Sequence, residues 1–521
     1  MLAGYKKTIL IFSWFIALAF NQNLVISYFE KNDYSFHNIY FIIALIITIA
    51  IVIKIFLFIF GQRYFLKPII IFLLILSSIV YYFNDKFNVL VNEDIIISAI
   101  HTFTDRNYNE LNELLTVGFA TTLLFLGVLP SIIVAKLKIN YPESFLKETL
   151  QRGAIIIVCF AIVLIMAFSN YKNVSLIARK NSKILTKVIP TYTVSSIKNL
   201  VKNYLSGPTK FEVLDNSPKN DEKDDREIMI LVVGETARAA NFSLGGYERE
   251  TNPSLKKYGI KYFKNATSCG TITAYSVPCM FYLGDYKSYK PAKAKYQQNV
   301  IDIINSTPNH QVVWFENNSS CKNVCDRVRI VDYYDKTRPE YKPGHHDEIL
   351  VEAAKKMIAE YKKEDLLIVL HTIGSHGPRY HNRYPPEFEK FKPACKSDSP
   401  EKCTREHLIN SYDNTIVFTD YIITELIKIL EPYTEQNAKV ALLYVSDHGE
   451  SLGEKNIYLH GLPNSLAPME QRHVPVILWS NEFKNKEPII IDTPITHEDI
   501  PGKLLSFFNI QTKIIKKTKI N

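Results

Sequence analysis

At 521 residues the chain exceeds one ordinary domain, and its 47 % hydrophobic residues are spread unevenly over two unlike halves. The net charge of +9 suggests nucleic acid, but no recognition motif of interleaved basic and aromatic residues is present, and the surplus Lys and Arg suit anionic lipid headgroups better. Seven cysteines, six of them from Cys269 onward, read as disulfides in an oxidising compartment.

Five apolar runs come first: Ile9–Ile26, Ile39–Phe60, Pro68–Phe83, Leu114–Ala135 and Gly153–Phe168. Each is long enough, or nearly so, to cross a hydrocarbon layer of roughly 30 Å. Lys6 and Lys7 precede the first run as in a signal peptide, but no small-residue cleavage site follows, which favours a retained anchor. With the N-terminus inside, the inner segments carry Lys6, Lys7, Arg63, Lys67, Lys136, Lys138, Lys147 and Arg152, and the outer ones only Lys31, Lys86 and Arg106. The positive-inside rule then exports everything after residue 170.

Residues 171–225 read as an interfacial helix, in "NVSLIARKNSKILTKVIPTY", followed by the polar linker "DNSPKNDEKDD". From residue 226 onward, apolar β-rich runs at 228–233, 311–315, 366–370, 441–445 and 474–479 alternate with helical segments such as Asp347–Tyr361 and Arg405–Leu430. That alternation predicts an α/β domain with a mainly parallel sheet. The predicted organisation is therefore a transmembrane domain of five helices (1–170), a bridging segment (171–225) and an exported α/β domain (226–521).

Ligands of open parallel sheets gather beyond the carboxyl ends of the strands. Here the strands are followed by Glu235 of "GETAR", by Asn317, Asn318 and Lys322 of "ENNSSCK", by His371 and His376 of "HTIGSHGP", and by Asp447, His448 and Glu450 of "SDHGESLGE", with His460 soon after. Each alone has a plainer reading: a carboxylate near a helix N-cap, a structural imidazole, a turn-forming Asn, a solvated Lys. His345 and His346 suit the start of the next helix. Together the set is harder to dismiss. Glu235, Asp447 and His448 offer the oxygen and imidazole donors that Zn²⁺ accepts and leave a position for chemistry. A metal-bound water there makes a hydrolase; a side-chain hydroxyl makes a covalent, transferring enzyme.

The stretch "TSCGTITAYSVPCM" (267–280) supplies hydroxyls between Cys269 and Cys279, and no G-x-S-x-G nucleophile competes with it. The six exported cysteines allow fifteen pairings, of which the local one, Cys269 with Cys279, Cys321 with Cys325 and Cys395 with Cys403, is the simplest. A zinc knuckle would need paired C-x-x-C spacing, which is absent.

"VVGETARAANFSLGGYERETNP" (232–253), "SCGTITAYSVPCM" (268–280), "HTIGSHGP" (371–378) and "SDHGESLGE" (446–454) together resemble the lipid A phosphoethanolamine transferases, the group that includes the mobile colistin-resistance enzymes, in the alkaline-phosphatase-like superfamily. The resemblance covers the whole chain. It implies an alkaline-phosphatase/sulfatase-like catalytic domain in the periplasm of a bacterium, anchored in the inner membrane. It implies transfer of phosphoethanolamine from phosphatidylethanolamine to lipid A or another envelope acceptor, with Thr273 as nucleophile. Glu235, Asp447 and His448 with Thr273 correspond to the ligands of one zinc ion, and Asn318, Lys322, His376 and His460 to groups around the phosphate, where some relatives hold a second zinc. Glu450 lies in the motif without a clear role. A cysteine that relatives often carry is His346 here, and the outer loop 91–115 aligns poorly, leaving Thr104 and Glu110 as candidate lipid contacts. A phosphoglycerol transferase of the same superfamily is the alternative. A sulfatase would need C/S-x-P-x-R, which is absent.

Overall fold

The computed structural model describes residues 2–29, 33–104, 116–169, 187–205, 210–220, 225–334, 340, 345–397, 402–483 and 487–514. The chain divides into two compact units, Met1–Glu93 with Leu114–Leu200, and Asp94–Glu113 with Val201–Asn521.

In the first unit, Asn38–Phe60, Leu66–Phe87, Val117–Lys136 and Phe145–Ser169 are long and apolar enough to cross a membrane. Tyr5–Ala19 and Gln22–Phe29 make a fifth span when counted as one, bent by 42° at the break. The four helices and the bent pair match the five apolar runs. Near the start of the last span, Arg152 is buried, and a buried guanidinium must be fully paired. It donates to Glu148 Oε1 at 2.8 and 3.0 Å, and to the carbonyls of Phe58 at 2.9 Å and Gly61 at 3.1 Å, which lie at the end of the Phe36–Phe60 helix. One side chain thereby satisfies carbonyls that a helix end leaves without partners.

Of the interfacial helix expected in 173–192, residues 173–186 lie outside the described residues; a helix is described at Thr191–Leu205. Pro190 stands just before that helix begins. Glu110 also lies outside the described residues, and Thr104 closes the helix Glu93–Thr104.

The second unit is built on an eight-stranded sheet. We number its strands β1 (Glu227–Gly234), β2 (Ile260–Phe263), β3 (His310–Glu316), β4 (Arg329–Asp332), β5 (Asp365–His371), β6 (Lys439–Ser446), β7 (Val476–Ser480) and β8 (Ile489–Ile491). Their order is β8-β2-β7-β6-β1-β5-β3-β4, and β6, β1, β5, β3 and β4 are mutually parallel. All five predicted strands are present. Being buried on both faces, they carry continuous apolar runs instead of an alternation. Helices Glu348–Glu360 and Arg405–Thr434 pack on one face with Ile228, Ile230 and Val232, and helices Val300–Ser306 and Ile500–Phe507 on the other with Met229, Leu231 and Val233. The site residues stand beyond the carboxyl ends of β6, β1, β5 and β3, which register pairs Ser446 with Gly234, Val233 with His371, and His371 with Glu316.

Candidate active site

The sheet's ladder continues past the strands into the loops. Asp447 N donates to Gly234 O at 2.8 Å, Thr372 N to Val233 O at 3.1 Å and Asn317 N to His371 O at 2.9 Å. After β1 the chain turns at Thr236, whose φ of 58° is strained for a β-branched residue. The strain is held by Thr236 N donating to Asp447 Oδ1 at 3.0 Å and by Tyr412 OH donating to Thr236 O at 2.7 Å. Gly374, with a φ of 49°, lets the loop after β5 close on this turn: a Cβ there would meet Glu235 O at 2.7 Å. Asp347 fixes that loop, accepting from Ile373 N at 3.0 Å, Gly374 N at 2.9 Å and Asn317 Nδ2 at 2.8 Å.

Thr273 opens the helix Thr273–Met280, and its Oγ1 lies 3.1 and 3.2 Å from the Glu235 carboxylate oxygens and 3.4 Å from His448 Nε2. His448 Nδ1 faces Gly449 O at 2.9 Å, and a carbonyl can only accept, so the proton is on Nδ1 and the lone pair on Nε2. That lone pair looks at Asp447 Oδ2, 3.4 Å away, and at Glu235 Oε1, 3.5 Å away. Asp447 Oδ2 is buried and makes no hydrogen bond among the described residues.

Burial pushes the Asp447 carboxyl up to about 6, and burial together with the neighbouring Asp447 raises Glu235. Burial lowers His448 to about 4, so the imidazole is neutral at pH 7. Two buried carboxyl groups facing one imidazole lone pair favour a positive charge among them, and a dication relieves all three at once. Ligating atoms of Glu235, Asp447 and His448 all lie within 4.8 Å of one another, so the donor set and its spacing fit the zinc ion that the sequence motifs imply.

Around this cluster, Asn318 Nδ2 donates to Glu235 Oε2 at 2.7 Å and to Thr372 O at 3.0 Å. The His460 ring lies 4.4 Å from that of His448, and the His376 ring 5.5 Å from that of His460. Burial lowers His460 to about 4 and, with His460 beside it, takes His376 well below the ordinary imidazole range. Glu450 faces His460 Nδ1 at 2.7 Å through Oε2 and accepts from Tyr380 OH at 2.5 Å through Oε1. Burial lifts its carboxyl to about 8. Lys322 is buried on the loop that carries Asn318, with Nζ on Ser319 Oγ at 2.7 Å. The structure thus brings Asn318, His460 and His376 onto the cluster, while the described contact of Lys322 is with its own loop.

Sequence reasoning missed Glu316. Its Oε2 accepts from Trp314 Nε1 at 2.9 Å and faces His371 Nδ1 at 2.9 Å, and His371 Nε2 is 3.3 Å from Asn318 Nδ2. A buried chain therefore runs from Trp314 through Glu316, His371 and Asn318 to Glu235. Burial works to lower His371, but the Glu316 carboxylate outweighs it and raises the imidazole. Glu316 follows the run "VVWF" as Glu235 follows "LVVG", and that shared position was the available signal. The six cysteines from Cys269 onward form the local disulfides Cys269–Cys279, Cys321–Cys325 and Cys395–Cys403, and Cys159 is free and buried.

Comparison with known proteins bears on what this geometry serves. A sulfatase family model matches residues 227–510, and the model for phosphoethanolamine transferase EptA/EptB matches residues 48–205. The chain is 36 % identical over 479 residues to phosphatidylethanolamine transferase Mcr-1 of Escherichia coli, covering 88 % of this chain and 86 % of that protein. It is 36 % identical over 458 residues to phosphoethanolamine transferase EptA of Escherichia coli strain K12, covering 87 % and 82 %. The solved integral membrane lipooligosaccharide phosphoethanolamine transferase A of Neisseria meningitidis superimposes with a TM-score of 0.90 at 29 % identity, covering 98 % of this chain and 96 % of that one. With sheet, spans and strand-end cluster all accounted for, the chain belongs to the lipid A phosphoethanolamine transferases of the alkaline-phosphatase superfamily.

Proposed function

We propose that the chain transfers phosphoethanolamine from phosphatidylethanolamine to lipid A, or to another envelope acceptor, through a covalent phosphoethanolamine–threonine intermediate on Thr273. The relatives named above support the group transferred and the class of acceptor. The proposed arrangement anchors residues 1–170 in the bacterial inner membrane, bridges through 171–225, and exposes 226–521 to the periplasm. Tethering the catalytic domain to the membrane that supplies the donor would raise the donor's effective concentration.

Glu235, Asp447, His448 and Thr273 would hold one zinc ion, which when bound supplies positive charge that favours ionisation of the Thr273 hydroxyl. Thr273 Oγ1 forms a bond to the donor phosphorus as the bond from phosphorus to the diacylglycerol oxygen breaks. The Thr273 proton ends on that oxygen, and diacylglycerol leaves. The N-terminus of the Thr273–Met280 helix favours the anionic phosphoryl group beside it, and Asn318 and Lys322 are the donors assigned to its oxygens. In the second step an acceptor oxygen bonds to phosphorus and the Oγ1–P bond breaks. A hydroxyl acceptor gives its proton to His376 or His460, both neutral for the reason given above, and the proton returns to Thr273.

The carrying observation is the placement of a single hydroxyl, Thr273 Oγ1, within 3.4 Å of both Glu235 and His448 at a helix start. The test is intact-mass analysis and peptide mapping of protein mixed with phosphatidylethanolamine vesicles. A phosphoethanolamine adduct on Thr273 that vanishes in Thr273→Ala is expected. An adduct elsewhere, or turnover that survives Thr273→Ala, sinks the proposal. Mass spectrometry of lipid A, core and envelope proteins from cells with and without the chain identifies the acceptor.

A further inference from the structure

The opposite, amino-terminal edge of the same sheet carries a second convergence of donors. Here β3, β5, β1 and β6 begin at His310, Asp365, Glu227 and Lys439. Register pairs His310 with Asp365 and Lys439 with Glu227, and the pairing of Ile228 with Leu366 sets Glu227 level with Asp365. Side chains alternate along a strand, so these four share the face of Val312, Leu367, Met229 and Ala441, which all enter one core cluster. The result is a polar row across four adjacent strands at the rim of that apolar layer.

His310 is only 2 % exposed. Its Nδ1 lies 2.8 Å from Pro308 O, an acceptor, so Nδ1 carries a proton and Nε2 is the nitrogen left to ligate. That Nε2 makes no hydrogen bond among the described residues and stands 3.6 Å from Asp365 Oδ2, beyond hydrogen-bond reach. Asp365 Oδ1 is engaged by Glu227 N–H at 2.7 Å. Glu227 Oε1 receives Lys439 Nζ at 3.1 Å and Asn509 Nδ2 at 3.0 Å. The buried Nε2 thus faces the two carboxylates without a hydrogen bond among the described residues, and a cation shared with them would give it a partner.

We propose that His310, Asp365 and Glu227 form a second site for a divalent cation, with imidazole and carboxylate donors of the kind that Zn²⁺ accepts. Their ligating atoms all lie within 4.8 Å of one another. The site is roughly 25 Å from Glu235, the length of β1 at about 3.3 Å per residue. It touches none of the residues assigned to transfer. It staples the starts of β1, β3 and β5, and through Asn509 the segment after the helix Ile500–Phe507. The proposal stands independently of the reaction assigned to the first site.

The test uses the full chain in detergent. Zinc equilibrium dialysis is run on wild type, His310→Gln and Asp365→Asn. Each variant should bind one equivalent fewer than wild type at free zinc that saturates the wild type, while keeping its transferase activity. In a background of Glu235→Gln with Asp447→Asn, zinc should still raise the melting temperature, and adding His310→Gln should abolish that rise. Equal stoichiometry in wild type and both variants overturns the proposal. Should the variants fail to fold, anomalous diffraction from zinc-soaked wild-type crystals decides. A peak between His310 and Asp365 supports the site, and none there with the Asp447 site fully occupied overturns it.

Discussion

The Cys269–Cys279 disulfide brackets the proposed nucleophile, with Thr273 four residues past the first cysteine and Cys279 in the last turn of its helix. The informative perturbation is Cys269→Ser with Cys279→Ser. With a sequence separation of 10, closing the loop removes about 2.7 kcal/mol of chain entropy from the opened state on the loop-closure model. At about 1.4 kcal/mol per decade that is on the order of 100-fold in a local opening equilibrium. The bonds that then anchor the start of the segment include Thr271 Oγ1 on Leu462 O at 2.6 Å, Cys269 N–H on His497 Nδ1 at 3.3 Å and Asn464 Nδ2 on Cys269 O at 2.7 Å. Those bonds are worth about 1 kcal/mol each and do not replace a covalent closure. Hydrogen-exchange mass spectrometry on the full chain should show residues 269–280 losing about two decades of protection, while the strands of the sheet keep theirs. Turnover per folded molecule should fall with it, because a nucleophile out of register costs rate even when the ligand still binds. Lost protection with unchanged turnover would refute the argument and leave the disulfide a purely structural closure.

Four further outcomes are expected. Asn318→Ala removes a bond to the Glu235 carboxylate, worth about 1.5–3 kcal/mol for a charged acceptor; kcat should fall roughly 10- to 100-fold with the melting temperature little changed. Exhaustive chelation should abolish turnover, and stoichiometric zinc should restore it; activity that persists in demonstrably metal-free protein contradicts the assigned ligand set. Asp420, buried and lifted from 3.8 to about 6 by that burial, binds its proton more tightly folded than unfolded. Its stability contribution is therefore complete below about pH 4 and lost as pH rises through about 6. That is a difference of about 3 kcal/mol, read as a pH-dependent gap in melting temperature that Asp420→Asn flattens. Arg152→Met should cost about 3–5 kcal/mol by stranding Glu148, and adding Glu148→Met should recover part of it, measured by thermal melts in detergent.

Five strands and the strand-end residues were legible because a parallel sheet buried on both faces writes itself as apolar runs, and because its ligands must follow those runs. Edge strands β4 and β8 and the short β2 were not, since runs of three or four residues such as "RIVD" and "III" carry no distinguishing period. Glu316 escaped for a different reason. Its worth lies in His371, 55 residues further on, and a pairing across strands has no trace in local composition. Asp347 read as the opening of a helix, and it does stand at that helix's N-cap, yet its carboxylate is spent on Ile373, Gly374 and Asn317 instead.

The ladder that runs on past β6, β1 and β5 has a consequence for how the enzyme would acquire the zinc ion proposed for it. Zinc-finger domains fold around their ion, so for them loading and folding are one event. Here the carboxylates and the imidazole are set by main-chain bonds that belong to the central sheet, from Asp447 to Gly234 and from Thr372 to Val233. For the ion proposed at this site, folding would come first and loading second, so removing it would silence transfer while the ladder of the central sheet stays paired.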